Sequence, residues 1–94
     1  MNLKISGING LKNILSSSVK LRVENSMISH AVLKPVNEGY VIEFENNGVP
    51  VEWKGENLVL CSVRNPYEPR VFKSIDGAVS EAKRIGVKGI KYDF

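Results

Sequence analysis

Three cations and one tyrosine fall within ten residues of this 94-residue chain, in the segment Arg64-Asn65-Pro66-Tyr67-Glu68-Pro69-Arg70-Val71-Phe72-Lys73. Arg64, Arg70 and Lys73 are suited to neutralising phosphate, and Tyr67 offers a ring on which a base can stack. Together these are the ingredients of sequence-tolerant nucleic-acid contact. Arg and Tyr are also the residue types on which protein–protein hot spots are built. Pro66 and Pro69 stiffen the segment, which lowers the ordering cost of any contact made there. A purely architectural reading stands beside this one, in which Tyr67 packs back on the core with Phe72 and Arg64 or Arg70 pairs with Glu68 or Asp76. Asn65, Lys83 and Arg84 complete the candidate set, the last two from the outer side of a helix that follows. Lys88, Lys91, Lys20 and Arg22 are further cations able to join the patch, and Lys20 and Arg22 are expected on one strand face.

Catalytic constellations are missing from the same survey. His30 is the single histidine and Cys61 the single cysteine, so neither a multi-histidine nor a cysteine-based zinc site can be assembled, and no internal disulfide can form. Cys61 lies in the apolar run Leu58-Val59-Leu60-Cys61 and reads as a small buried hydrophobe. No serine sits in Gly-x-Ser-x-Gly, and neither phosphate-binding glycine pattern occurs. The chain therefore reads as non-enzymatic, with no cofactor and no metal.

Charge is unevenly spread. The formal net charge is +3, yet Glu38, Glu43, Glu45, Glu52 and Glu56 stand against Lys54 alone in residues 38–56. Glu43, Glu45 and Glu52 form an alternative, acidic contact face, able to occupy a basic groove on a partner; plain solvation explains the same pattern.

The elements that must position these residues follow from periodicity. Ile8, Leu11, Ile14 and Leu15 fall at helical spacing and predict a helix over 8–16 after an extended segment, capped by Ser6 or Asn9. Val19, Leu21 and Val23 alternate with charged residues and predict a strand. Residues 27–34 predict another, broken at 35–39. Tyr40, Ile42, Phe44 and then Val49, Val51, Trp53 alternate on either side of Asn47-Gly48, the signature of a type I′ hairpin with apolar residues inward and glutamates toward water. Leu58 to Val63 reads as a central strand covered on both faces. Ser74 as N-cap, Asp76 in the first turn and Gly86 past the end bracket a second helix, with Ile75, Ala78, Val79, Ala82 and Ile85 on its apolar face. Residues 87–94 alternate as a closing strand. The expected fold is one α+β domain, residues 1–94: an antiparallel meander of five to six strands with an N-terminal and a C-terminal helix on one face.

An apolar fraction of 43% and a charged fraction of 24% are those of an ordinary globular chain. No apolar run approaches a membrane span, and the first residues read poorly as a signal peptide, so a cytoplasmic location without membrane contact is expected.

The stretch Leu58 to Arg64, then Glu68 to Ala78, then Ile85-Gly86-Val87, resembles small partition- or replication-associated accessory proteins of conjugative plasmids and related mobile elements. Arg64, Pro69, Arg70, Phe72, Asp76 and Ala78 carry the resemblance. It covers residues 58–94 and implies a mobile-element setting, plasmid or phage, without a mechanism. The leading expectation is a binding module that contacts nucleic acid or a nucleic-acid-bound complex. A protein inhibitor of a host defence nuclease complex, acting as anti-CRISPR proteins do, is the alternative. A homo-oligomer paired through an edge strand is the third.

Overall fold

The computed structural model describes residues 8–9 and 12–94. Its elements are β1 (Ile8–Asn9), β2 (Asn13–Leu15), α1 (Ser16–Glu24), β3 (His30–Val36), β4 (Gly39–Asn46), β5 (Val49–Pro50), β6 (Glu52–Trp53), β7 (Glu56–Asn57), β8 (Val59–Cys61), α2 (Ile75–Ile85) and β9 (Gly89–Tyr92).

The fold is α+β, but the sheet is mixed and not a meander. Its order is β1-β2-β8-β4-β3-β9, with β5 added on β4. β3 and β4 pair antiparallel over seven residue pairs, from His30↔Glu45 to Val36↔Gly39. β8 joins β4 antiparallel, whereas β2 lies parallel to β8 and β9 parallel to β3. Both helices are thus crossovers between parallel strands. α1 carries the chain from β2 to β3, and α2 carries it from β8 to β9; each passes over the two strands that lie between. Neither helix is terminal: β1 and β2 precede α1, and β9 follows α2.

The N-terminal third departs most from expectation. The apolar residues at 8 and 14 do not share a helix; Ile8 and Ile14 face each other across the β1–β2 pair. Ser6, Leu11 and the extended segment expected before residue 8 lie outside the described residues. The segment expected as a strand is helix α1, which begins at the serine run. Its five-residue pattern fits both periods, because Val19 and Val23 at i and i+4 share a stripe in a helix as in a strand. Leu21 breaks the tie: it is 55% exposed while Val19 is fully buried. Lys20 and Arg22, two apart on a helix, point roughly 160° apart and share no face.

The expected hairpin turn is present, with Asn47 at φ 53° and Gly48 at φ 90°. The second arm is shorter than its alternation implies. Only Val49–Pro50 pairs with β4, after which β6 and β7 form a separate two-stranded ribbon around Lys54-Gly55. Val49 and Trp53, expected inside, are exposed. α2 matches its signals: Ser74 Oγ accepts from the Gly77 amide, and Gly86 closes the helix at φ 100°. Such a cap contributes about 1 kcal/mol.

The core lies between the helices and one sheet face. Ile14, Ala31, Leu33, Ile42, Phe44 and Leu60 supply the sheet side, and Val19, Ala78, Ala82 and Ile85 the helical side. Each fully buried Leu, Ile or Phe contributes roughly 1.5–3 kcal/mol relative to exposure. Leu58 to Cys61 is buried throughout, as its unbroken apolar run requires, but the strand expected to reach Val63 ends at Cys61, and Val63 is 82% exposed. Gly89 lets β9 approach His30, since a Cβ there would lie 2.8 Å from the imidazole Cδ2. His30 Nδ1 is 2.7 Å from Ser29 Oγ.

No described helix is long and apolar enough to cross a membrane.

Candidate functional site

After β8 the chain turns outward through residues 62–69 and returns beside β4. The return is fixed by backbone bonds. The Arg70 amide donates to the Leu60 carbonyl at 2.8 Å, and Tyr40 and Phe72 exchange both N–H···O bonds at 2.8 Å. Asn65 braces the outer turn: its amide donates to Ser62 Oγ and its side chain to Glu68 Oε1. Asn65 and Glu68 therefore hold the loop's shape. Tyr67 does not pack back on the core but stands at the crest, 70% exposed, and Val63 is 82% exposed. Phe72 does reach the core.

The structure draws three of the candidate cations together. Arg64 and Arg70 line one open depression of about 730 Å³ with Ser62 and Val63. Arg70 and Arg84 share the carboxylate of Glu81: Arg70 Nη1 lies 3.6 Å from Glu81 Oε2, and Arg84 donates through Nε and Nη2 to the two oxygens. The Arg70 guanidinium also stacks over the Phe72 ring, 4.5 Å from its centroid. Arg70 thus pairs with neither Glu68 nor Asp76 but with a residue of α2. Glu81 lies outside the apolar set Ile75, Ala78, Val79, Ala82 and Ile85 that the spacing assigns to the inner face of that helix. It is in fact buried, beside Ala78, Ala82 and Ile85. The Arg84 hydrogen bonds hold its carboxyl below the usual value despite partial desolvation, with both guanidiniums adding attraction. Two arginines on one carboxylate, with Arg64 lining the same depression as Arg70, leave the spot net positive. Lys73 and Lys83 are exposed and make no ion pair among the described residues.

The acidic alternative is arranged differently. Glu43 and Glu45 point to the helix-free face of the sheet but not into open water. Glu43 accepts from Asn57 at 3.0 Å and pairs with Lys34 at 3.1 Å, while Glu45 pairs with Lys91. Their side chains are only 15% and 11% exposed. The hydrogen bond from Lys34 to Glu43 raises the Lys34 pKa, with Asp93 assisting. Lys91 is consequently committed within the sheet and does not join the basic patch. Of the three glutamates proposed as a contact face, Glu52 on the β6–β7 ribbon is the exposed one.

Two features escape the periodicity reading. One is Glu81 as organiser; its three-residue spacing to Arg84 is the available signal. The other is a ring cluster on the helix side of the sheet: Tyr40 and Phe94 lie 5.7 Å apart at 42°, and Tyr92 meets Phe94 at 5.7 Å edge-on. Among the described residues no group of three or more His, Cys, Asp or Glu is placed to hold a metal ion.

No protein-family model, curated protein or solved structure matches this chain. The mobile-element setting suggested by residues 58–94 gains no support from them.

Proposed function

We propose that the chain is a non-enzymatic binding module whose ligand is nucleic acid, gripped through the arginines at the end of β8. The observation that carries this reading is the grouping of three arginines from a loop, a returning strand segment and a helix: Arg70 and Arg84 share the Glu81 carboxylate, and Arg64 lines an open depression with Arg70. A guanidinium presents a planar fork of donors that matches phosphate oxygens, and Arg64 has no competing carboxylate among the described residues. Because Arg64 is exposed, Arg64→Glu should leave the fold intact while weakening binding. In a gel-shift titration at low salt, the wild type is expected to retard short DNA or RNA. The variant should bind about tenfold more weakly, with the slope of log affinity against log salt reduced by about 1. Failure of the wild type to retard either nucleic acid at low salt rules the reading out.

A second reading rests on Val63 and Tyr67, which are 82% and 70% exposed on the same loop. They suit a protein partner, of which a host nuclease complex is one kind. Co-purification of such a partner, lost on Tyr67→Ala and retained in Arg64→Glu, would favour it.

A further inference from the structure

Arginines and aromatic rings form one connected strip along the helix side of the sheet. Arg84 and Arg70 meet at Glu81. Arg70 lies on Phe72. Phe72 is the hydrogen-bonded partner of Tyr40, and residues directly opposite in an antiparallel pair present their side chains on the same face. The Tyr40 ring touches Phe94, and Phe94 touches Tyr92. The register agrees, because Leu33 pairs with Ile42 on one side and with Tyr92 on the other, so Tyr92 shares the face of Ile42 and Tyr40. The cationic end is therefore linked to the aromatic end through the buried Phe72 ring and its partner Tyr40.

The aromatic end is not a core. Tyr92 is 54% and Phe94 65% exposed, and the two rings meet edge-on, so neither is stacked face to face on the other. Guanidiniums followed by open rings are what an unpaired strand requires: cations for the backbone and π-faces for its unstacked bases. A duplex keeps its bases stacked on one another and offers this end of the strip nothing but phosphate.

Building on the nucleic-acid reading above, we infer that the ligand is single-stranded, with its phosphates at Arg70 and Arg84 and its bases on Tyr92 and Phe94. Fluorescence anisotropy with labelled oligothymidylate and oligouridylate, against a duplex of the same length, tests this. The wild type is expected to prefer the single strands by tenfold or more. Replacing both exposed rings (Tyr92→Ala with Phe94→Ala) should cost about tenfold per lost stacking contact on single strands, with duplex affinity and the salt slope unchanged. Tyr92→Leu with Phe94→Leu, which keeps apolar bulk over Tyr40, should lose the same preference and so separates stacking from packing. Equal wild-type affinity for single strand and duplex, or an undiminished preference in both double variants, overturns the inference while leaving nucleic-acid binding intact. Absence of any wild-type complex removes both.

Discussion

Gly39→Ala is expected to destabilise the protein by about 3–5 kcal/mol, a loss large enough to consume much of a small domain's stability. Two causes coincide. Gly39 holds φ 153°, where side chains are strained, and a Cβ there would sit 2.1 Å from the Phe72 carbonyl oxygen, which is backbone and cannot swing aside. That carbonyl accepts the Tyr40 amide. Relief of the clash therefore means pulling residues 70–72 away from β4, which takes Phe72 out of the core and Arg70 off its ring. Urea unfolding followed by circular dichroism measures the change. A midpoint within error of wild type would show that the return segment is not anchored there.

Glu81→Gln should move two quantities in opposite directions. The side chain is 10% exposed and receives both arginines, whose own side chains are 42% and 65% exposed. Removing its charge is expected to lower stability at neutral pH by about 1–2 kcal/mol, the range for charge-assisted bonds discounted for their solvated ends. The same change removes the carboxylate that competes with phosphate for Arg70 and Arg84, so nucleic-acid affinity should rise several-fold, and the salt slope should steepen by up to about 1 as one opposing charge is lost. Destabilisation accompanied by weaker or unchanged binding would mean that Glu81 positions the arginines more than it masks them. The pH dependence is fixed in sign. The Glu81 pKa is lower in the folded chain than its ordinary 4.5, so its contribution is complete above that value and is lost as pH falls through the folded value. Wild type and variant should therefore converge in acid, which thermal melts at neutral and acidic pH would register.

Where a sequence signal had a single physical solution, it was legible. Asn47-Gly48 supplies two positive φ angles, Ser74 and Gly86 bracket α2, and an unbroken apolar run at 58–61 can be satisfied only between two covered faces. Signals with two solutions failed. Val19 and Val23 satisfy the helical and the strand period alike, and only Leu21, which a strand would place with them, separates the two. Ile8 and Ile14 can share a helix or face each other across a hairpin. Sheet order left no local trace, because β2 and β9 find their parallel partners through crossovers that periodicity does not encode. At the candidate site, the loop and its cations were visible from composition. Which cations converge was not, since that depends on Glu81 being turned inward on α2. The partners of the acidic face were hidden for a related reason: Glu43 and Glu45 alternate outward as expected, and Lys34 and Lys91 arrive beside them from strands whose adjacency only the fold creates.

The two crossovers also constrain how this chain reaches its native state. β8 and β4 separate the strands joined by α1, and β4 and β3 separate those joined by α2, so each crossover spans strands that the other needs. The pairings β2–β8 and β3–β9 close over long stretches of sequence, whose loop entropy must be overcome before the contacts form. Of the local pairs β1–β2, β3–β4, β4–β5 and β6–β7, the β3–β4 hairpin is the longest. That hairpin is the natural template, with β8 adding to one flank and β9 to the other. Because β8 and β9 bracket it from opposite sides, neither half of the chain holds a self-sufficient unit. Cooperativity is built into the connectivity, and the arginine–aromatic strip exists only once the last strand has been laid down.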